Sequence, residues 1–183
     1  KAIVVGSSHT HAEFLRFQEK LFYVPGENGL RSSLIGDRLS PEASGDGKLR
    51  LIYVGRLVPY KACDLAIRGA AGLLREGKAS LTILGDGPER ARFESIADKL
   101  LIRSGVTFCG MVSHSDVLAR LGKADVLIFP SLREFGGGVV FEALAAGAVP
   151  VVADYGGPGD IVRDDVGFRI SRRKERQMAE DII

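Results

Sequence analysis

Residues 124–153 carry the pattern that decides the fold, and they read ADVLIFPSLREFGGGVVFEALAAGAVPVVA. The apolar run Val126–Phe129 ends at a proline and predicts a strand that is covered on both faces. Three glycines, Gly136–Gly138, stand at the start of the stretch Gly138–Ala146, and Gly147 ends it. This pattern predicts a helix. The apolar run Val149–Val152 predicts the next strand. This unit of strand, helix and strand is typical of a parallel sheet.

The same alternation extends through the chain on both sides of this unit. Further apolar runs predict strands at Leu51–Val54, Leu81–Leu84, Val106–Phe108 and Phe168–Ile170. Helical spacing of apolar residues predicts a helix over residues 62–76 and a second helix with Phe93, Ile96, Ala97, Leu100 and Leu101 on one face. Ser113 or Ser115 would cap a third, short helix that carries Val117, Leu118 and Leu121. We therefore expect an α/β fold, a Rossmann-like parallel sheet with helices on both faces. In such sheets ligands bind at the carboxyl ends of the strands.

Residues 1–47 differ from the rest of the chain. Short apolar runs predict strands at Ala2–Val5 and Leu21–Val24, with a short helix around Phe14 and Phe17 between them. Residues 36–48 hold Gly, Pro, Ser and Asp and almost no bulky apolar residue, which is typical of a linker. We therefore divide the chain into residues 1–47 and a regular α/β unit over residues 48–183.

Composition excludes several classes of protein. The chain has 183 residues, 45% of them hydrophobic, and 25 Lys plus Arg against 23 Asp plus Glu leave a net charge of +2. These proportions are typical of a globular domain rather than a disordered chain, and they give no electrostatic reason to expect nucleic acid as a partner. No apolar run approaches the length of a membrane helix. Cys63 and Cys109 have no CxxC partner, which favours a reducing compartment and argues against a zinc site.

Glu134, Gly136–Gly138 and Glu142 form the strongest candidate site. A glycine-rich loop that opens a helix leaves backbone N–H groups free at the positive end of the helix dipole. Such a loop suits a phosphate or hydroxyl groups, and a carboxylate that accepts two hydrogen bonds suits the vicinal hydroxyls of a sugar or ribose. The alternative is that the glycines make a packing turn and Glu142 is a solvated helix residue.

Arg56 and Lys61 form a second candidate site, in the sequence GRLVPYK that follows the strand Leu51–Val54. A cation at the start of a helix opposes the helix dipole, and a bound anion would remove that penalty. The pair therefore predicts a clamp for a diphosphate. The alternative is two solvated surface cations.

The remaining polar features are weaker. Gly85–Pro88 follows a strand but does not complete the dinucleotide fingerprint, and the loop YGGPGD at residues 155–160 is either a plain turn or a close approach to a ligand. His9, His11 and His114 are isolated along the chain, and no third metal ligand accompanies the first two. Five basic residues between positions 169 and 176 suit a solvated face better than an anionic lipid surface.

Taken together, the ordered motifs resemble the donor-binding C-terminal domain of retaining glycosyltransferases of family 4, which have the two-domain GT-B architecture. The resemblance spans about residues 48–167. It rests on VGRLVPYK (54–61), ILGDGPE (83–89), VTFCGMV (106–112), residues 124–153 and the YGGPGD loop. The E-x7-E pattern of Glu134 and Glu142 is its most specific part. The chain departs from the family in reading Glu-Phe-Gly-Gly-Gly after Arg133, where Glu-Gly-Phe-Gly is frequent, and in Asp160, where Glu is frequent.

The resemblance implies a role for each matching residue. Arg56 and Lys61 would neutralise the donor diphosphate, Glu134 would contact the donor sugar, and Glu142 would hold the ribose hydroxyls. The resemblance also implies that backbone amides bind the rest of the donor. These are the amides of Gly136, Gly137, Gly138 and Val139 for sugar or phosphate, and the backbone of Cys109, Gly110 and Met111 for the base. Catalysis of this kind requires no metal and no cofactor beyond the nucleotide-sugar itself.

The resemblance further implies that residues 1–47 are the end of an acceptor-binding N-terminal domain and its crossover, and that residues 48–183 are the nucleotide-sugar-binding domain. The expected partners are a nucleotide-sugar and an acceptor glycan or lipid, with no nucleic acid. We expect a cytoplasmic protein, with contact at the membrane face left open. A chain without the acceptor domain is expected to bind nucleotide weakly and to transfer little sugar. The base, the sugar and the acceptor are not encoded in these motifs.

Two other functions remain open at this point. One is a GT-B sugar-nucleotide epimerase or phosphorylase, which the combination of E-x7-E and GRLVPYK makes less favoured. The other is a non-catalytic nucleotide-binding module. A full-length epimerase would release a changed nucleotide-sugar without any acceptor, and a scaffold would tolerate loss of Glu134.

Overall fold

The computed structural model describes residues 3–5, 12, 21–23, 47–171 and 182. Near the start of the chain, the apolar runs form strands as predicted, β1 (Ile3–Val5) and β2 (Leu21–Tyr23), and the two pair in parallel. The helix predicted around Phe14 and Phe17 lies outside the described residues, as does nearly all of the linker predicted over residues 36–48. The division of the chain at residue 47 stays a prediction.

A parallel sheet of six strands forms the centre of residues 47–171. Every strand predicted in this range is present: two have the predicted bounds, and the other four are longer by one or two residues. The strands are β3 (Leu49–Val54), β4 (Ala79–Leu84), β5 (Val106–Gly110), β6 (Val126–Phe129), β7 (Val149–Ala153) and β8 (Phe168–Ile170). The Rossmann-like α/β fold is therefore confirmed.

Helices connect these strands and cover the sheet. They are α1 (Cys63–Arg75), α2 (Arg90–Lys99), α3 (His114–Leu121), α4 (Gly138–Ala146) and α5 (Gly156–Ile161). Ser113 caps α3, because its side chain accepts a hydrogen bond from the amide of Asp116 at 3.2 Å. The predicted bounds of α4 match those of the structure.

Both faces of the sheet are buried, which explains the continuous apolar runs. Within β3, Leu51 and Tyr53 belong to one buried cluster, which includes α1 and α2 residues. Ile52 belongs to another, which includes residues of α3 and α4. Alternate residues of one strand thus enter two cores, as expected for a central strand in a layered α/β fold.

The order of the strands fixes where a ligand can bind. Across the sheet the order is β5-β4-β3-β6-β7-β8, so the chain builds outward from β3 in one direction and then, from β6, in the other. The connections after β3 and β6 therefore lead to opposite sides of the sheet, and the region between them at the carboxyl end of these two strands is called here the switch-point cleft. Open α/β sheets bind their ligands at this place.

The structure corrects the prediction of a loop at residues 155–160. Most of it is the short helix α5, whose Gly156, Gly157, Pro158 and Gly159 are buried. The backbone of this helix is pressed against the loop that follows β6: an ideal Cβ on Gly156 would lie 2.4 Å from the carbonyl oxygen of Glu134. Glycine is needed here to let two backbones approach, and the helix itself was not visible in the sequence pattern.

Candidate functional site

Lys61 and Glu134 meet in the switch-point cleft. The ammonium Nζ of Lys61 forms an ion pair with Oε2 of Glu134, and each side chain is 17% exposed. The two residues are 73 positions apart in the chain and come from the loops after β3 and β6. The amide of Leu132 also donates to the carbonyl of Tyr60 at 2.8 Å. The two loops are thus joined by main chain and side chain.

The backbone around Lys61 is held in an unusual conformation. Pro59–Lys61 form a single turn of 3-10 helix, and Ala62 follows with a φ of 51°, in the left-handed region. A non-glycine residue with such a φ is strained, and strain of this kind persists only where the surroundings hold it. The turn places Lys61 in the loop between the end of β3 and the start of α1.

Tyr53 supports this turn from below. Its ring is fully buried, and its hydroxyl lies 3.2 Å from the carbonyl oxygen of Lys61 and 3.4 Å from that of Arg56. A hydroxyl donates one hydrogen at a time, so the shorter contact is the better hydrogen bond. Burial, and then the charges of neighbouring groups, raises the pKa of Tyr53 well above its ordinary value. The hydroxyl therefore stays protonated and able to donate.

Arg56 lies at the other end of the same loop and is exposed. Within residues 47–171, no carboxylate forms an ion pair with its guanidinium. Lys61, in contrast, is neutralised by Glu134, a contact that the spacing of the sequence did not indicate. The diphosphate clamp predicted for this pair of cations stays a prediction.

The glycine-rich loop leads into the amino end of α4, where backbone N–H groups can donate to a ligand. Gly137 has a φ of 63°, and α4 begins without a side-chain cap. In the part of the chain that the structure describes, the amides of Gly138 and Val139 donate no hydrogen bond. The first N–H groups of a helix have no partner within it, so these two amides are available to an anion or a hydroxyl.

Glu142 lies one turn further along α4 and contacts His114. Oε1 of Glu142 is 2.8 Å from Nε2 of His114, the first residue of α3. Glu142 is only 18% exposed, so it is not the solvated helix residue of the alternative reading. His114, which appears isolated in the sequence, therefore has a partner 28 positions away.

The end of β5 supplies the stretch that the resemblance assigns to the base. Cys109 is half-buried, and Nη1 of Arg120 lies 3.6 Å from its Sγ. Gly110 takes a φ of 70°, and Met111 is 75% exposed. The assignment of Cys109, Gly110 and Met111 to a base is untested by this geometry.

Neither a metal cluster nor a membrane span is found in the described residues. Among residues 3–5, 12, 21–23, 47–171 and 182, no three His, Cys, Asp or Glu side chains are grouped as metal ligands. In the same residues, no helix has the length and apolar character needed to span a bilayer.

The fold and the cleft define an open, doubly wound α/β domain with a cation, a carboxylate and a helix N-terminus at its switch point. The sequence profile of the glycosyl transferases group 1 family matches residues 39–183. The chain belongs to this family.

Curated relatives agree with this assignment. The chain is 37% identical over 122 residues to an uncharacterized glycosyltransferase of Methanocaldococcus jannaschii, a match that covers 66% of this chain and 31% of the relative. It is 35% identical over 137 residues to the D-inositol 3-phosphate glycosyltransferase of Mycobacterium tuberculosis, covering 71% of this chain and 28% of the relative. The chain thus spans about a third of the length of the relatives it matches.

Solved structures share the fold. WaaG, a glycosyltransferase involved in lipopolysaccharide biosynthesis, has a TM-score of 0.78 at 23% identity, over 98% of this chain and 52% of that one. Anabaena HepE, solved in complex with UDP and glucose, has a TM-score of 0.78 at 19% identity, over 99% of this chain and 52% of that one. These likenesses show that the α/β fold is the one found in GT-B glycosyltransferases.

Proposed function

We propose that this chain is the donor-binding part of a retaining, family 4 glycosyltransferase. The whole enzyme would transfer a sugar from a nucleoside-diphosphate sugar to a glycan, a lipid or another acceptor. The observation that carries the proposal is the meeting of Lys61 and Glu134 in the switch-point cleft, beside the uncapped start of α4. A cation, a carboxylate and open amides in one cleft suit the diphosphate and the hydroxyls of such a donor.

Lys61 and Arg56 would bind the diphosphate. In the structure the charge of Lys61 is balanced by the carboxylate of Glu134. A diphosphate carries more negative charge than a carboxylate, so it would displace Glu134 from the ammonium group. During transfer the diphosphate gains charge as the bond to the sugar breaks, and a cation already in place stabilises that charge without reorganisation. The proposal includes no metal ion.

Glu134, released from Lys61, would accept hydrogen bonds from hydroxyls of the donor sugar. The amides of Gly136, Gly137, Gly138 and Val139 would donate to the sugar or to a phosphate oxygen. Helix α5 holds this loop in place, because the amide of Gly157 donates to the carbonyl of Glu134 at 3.3 Å. Glu142 would hold the ribose hydroxyls, and the backbone from Cys109 to Met111 would face the base.

Calorimetric titration with UDP, GDP and ADP tests the proposal. We expect one of the three to bind, and Lys61→Ala to weaken that binding by about tenfold or more, since the ammonium makes a charge-assisted contact. Lys123→Ala is the matched control, because Lys123 is exposed and lies before the amino end of β6, away from the cleft. Binding by no nucleotide, in this chain and in the full-length protein, contradicts the proposal. So does equal binding by Lys61→Ala.

The stereochemistry needs a separate experiment on the full-length enzyme. A retaining enzyme gives a product whose anomeric configuration matches that of the donor, which proton NMR coupling constants of the product show directly. An inverted product would contradict the retaining assignment and leave the donor site intact.

A further inference from the structure

The contact between His114 and Glu142 connects two separate helices at the cleft. Nε2 of His114 and Oε1 of Glu142 are 2.8 Å apart. An ionised carboxylate can only accept hydrogen bonds, so the imidazole nitrogen that faces it must carry the hydrogen. The histidine therefore donates through Nε2, whichever state its other nitrogen is in.

This hydrogen bond restricts the carboxylate in a useful way. A free Glu side chain samples several rotamers, and a hydrogen bond from a fixed donor selects among them. Oε1 is engaged by His114, while Oε2 makes no hydrogen bond within residues 47–171. The second oxygen is left to accept from a ligand.

The hydrogen-bond donor, His114, has a defined position in the fold. His114 is the first residue of α3, and that end of the helix is anchored because Ser113 Oγ accepts from the amide of Asp116 at 3.2 Å. His114 follows Met111 by three residues in the chain, and its side chain contacts Glu142 on α4. The imidazole is 64% exposed, so replacing it should not disturb the core.

We infer that His114 is a positioning residue for ribose recognition: it orients the Glu142 carboxylate so that its second oxygen accepts from the ribose hydroxyls. The inference rests on the proposed function, since it needs a nucleotide in the cleft. It adds a residue outside the E-x7-E pattern to the recognition of the donor.

Paired titrations with the nucleoside diphosphate that binds (UDP, GDP or ADP) and with its 2′-deoxy form test this role in the full-length protein. The wild type is expected to prefer the ribonucleotide by about tenfold, the effect of one hydrogen bond to a charged group. Glu142→Gln should lose most of that preference. His114→Ala should reduce it about threefold, and the double variant should lose no more than Glu142→Gln alone. His114→Gln places an amide N–H near the position of Nε2 and should restore most of the preference.

The outcomes separate this inference from the proposed function. If His114 has a purely structural role, His114→Ala weakens the binding of both nucleotides equally and leaves the ratio of their affinities unchanged. That result overturns the inference while Glu142 keeps its role. A Glu142→Gln variant with wild-type preference overturns the ribose assignment and the inference together. Failure of the wild type to bind UDP, GDP or ADP contradicts the proposed function itself. Melting curves of each variant check that every protein compared is folded.

Discussion

Two glycine-containing loops at the same edge of the sheet serve different purposes. In the loop after β4, Gly85 has a φ of 127°, and an ideal Cβ on it would lie 2.0 Å from the carbonyl oxygen of Gly55. Where the loop after β6 enters α4, an ideal Cβ on Gly138 would meet nothing within 4 Å, although one on Gly137 would lie 2.9 Å from Cγ of Pro158. The first loop needs glycine so that backbones can pack. The second is packed at Gly137 and leaves open space only at Gly138, in front of free amides.

The loop after β4 packs against the loop after β3, which carries Arg56 and Lys61. The amide of Leu57 donates to the carbonyl of Asp86 at 3.0 Å, and the amide of Glu89 donates to the carbonyl of Leu57 at 3.1 Å. An ideal Cβ on Gly87 would lie 2.4 Å from that same Leu57 carbonyl oxygen. A glycine between a strand and a helix therefore either lets two backbones pack together or leaves space for a ligand. Only the residues around it distinguish the two cases.

Matched glycine substitutions should give the largest difference between the loops. We expect Gly85→Ala to lower the free energy of unfolding by about 3 kcal/mol or more, because both the φ and the space forbid a Cβ. Gly138→Ala should change it by less than about 1 kcal/mol, since the site is open and alanine favours helix. Denaturant unfolding measures both. Similar losses in the two variants would contradict the distinction.

Glu134→Gln should change ligand binding, because it removes the charge that balances Lys61. Removing the carboxylate frees Lys61 for an anion, so we expect UDP to bind up to about tenfold more tightly, equivalent to about 1.4 kcal/mol. The additional affinity that a sugar adds to the nucleotide should fall at the same time. Titrations with UDP and with UDP-glucose measure the two effects. Weaker binding of UDP alone would show that Glu134 does not compete for Lys61.

Tyr53→Phe tests the support beneath Lys61 at neutral pH. The ring stays in the core while the hydrogen bond to the Lys61 carbonyl is lost. We expect the free energy of unfolding to fall by about 1 kcal/mol, the usual value for one hydrogen bond. Chemical denaturation at pH 7 gives the value. A variant as stable as the wild type would mean that the hydroxyl does not hold the turn.

The same variant also tests the pH dependence that burial of Tyr53 creates. Its pKa is raised in the folded protein by burial first of all. Above about pH 10 the unfolded tyrosine loses its proton and the folded one keeps it. The unfolded state then binds fewer protons, so the free energy of unfolding falls as the pH rises, by at most about 1.4 kcal/mol per pH unit. Below that pH this stabilisation is fully present.

Comparison with Tyr53→Phe isolates that contribution. The variant should lose stability less steeply than the wild type above about pH 10. Burial also raises the pKa of Cys63, which is present in both proteins and cancels in the difference. Equal slopes in the two proteins would contradict the account of Tyr53.

Asp125→Asn should have the smallest effect, at the amino end of β6. Hydrogen bonds from Arg50, at 2.7 Å and 3.1 Å from its guanidinium, lower the pKa of the Asp125 carboxyl. Its stabilisation is therefore present above the ordinary pKa of aspartate and is lost as the pH falls below it. We expect the variant to lose less stability than the wild type on acidification. Because the pair is partly solvated, the difference at pH 7 should be within about 1 kcal/mol. A variant that loses stability on acidification as steeply as the wild type would contradict this account of the Arg50 pair.

The strands and α4 could be predicted from sequence because both faces of the sheet are buried. A continuous apolar run such as Val126–Phe129 has few other interpretations when glycine or proline ends it. The helix over Gly156–Ile161 could not be predicted, since glycines favour a turn and only packing against the loop after β6 makes them helical. Tertiary contacts overrode local propensity there.

The candidate site was predictable in its residue types and not in its pairings. Lys61, Glu134 and Glu142 stand out by their place near glycines and strand ends. The ion pair of Lys61 with Glu134 depends on β3 lying beside β6, which the sequence pattern does not reveal. His114 appears isolated for the same reason, because its partner comes from another helix.

The most direct test of the account is an NMR titration of the chain with UDP, observing backbone amides. The account predicts that the shifts concentrate in residues 55–62, 109–111 and 134–142, around the switch-point cleft, and that Lys61→Ala weakens the titration. Saturation with UDP that leaves these stretches unchanged, or that moves amides only at the amino ends of the strands, would contradict it.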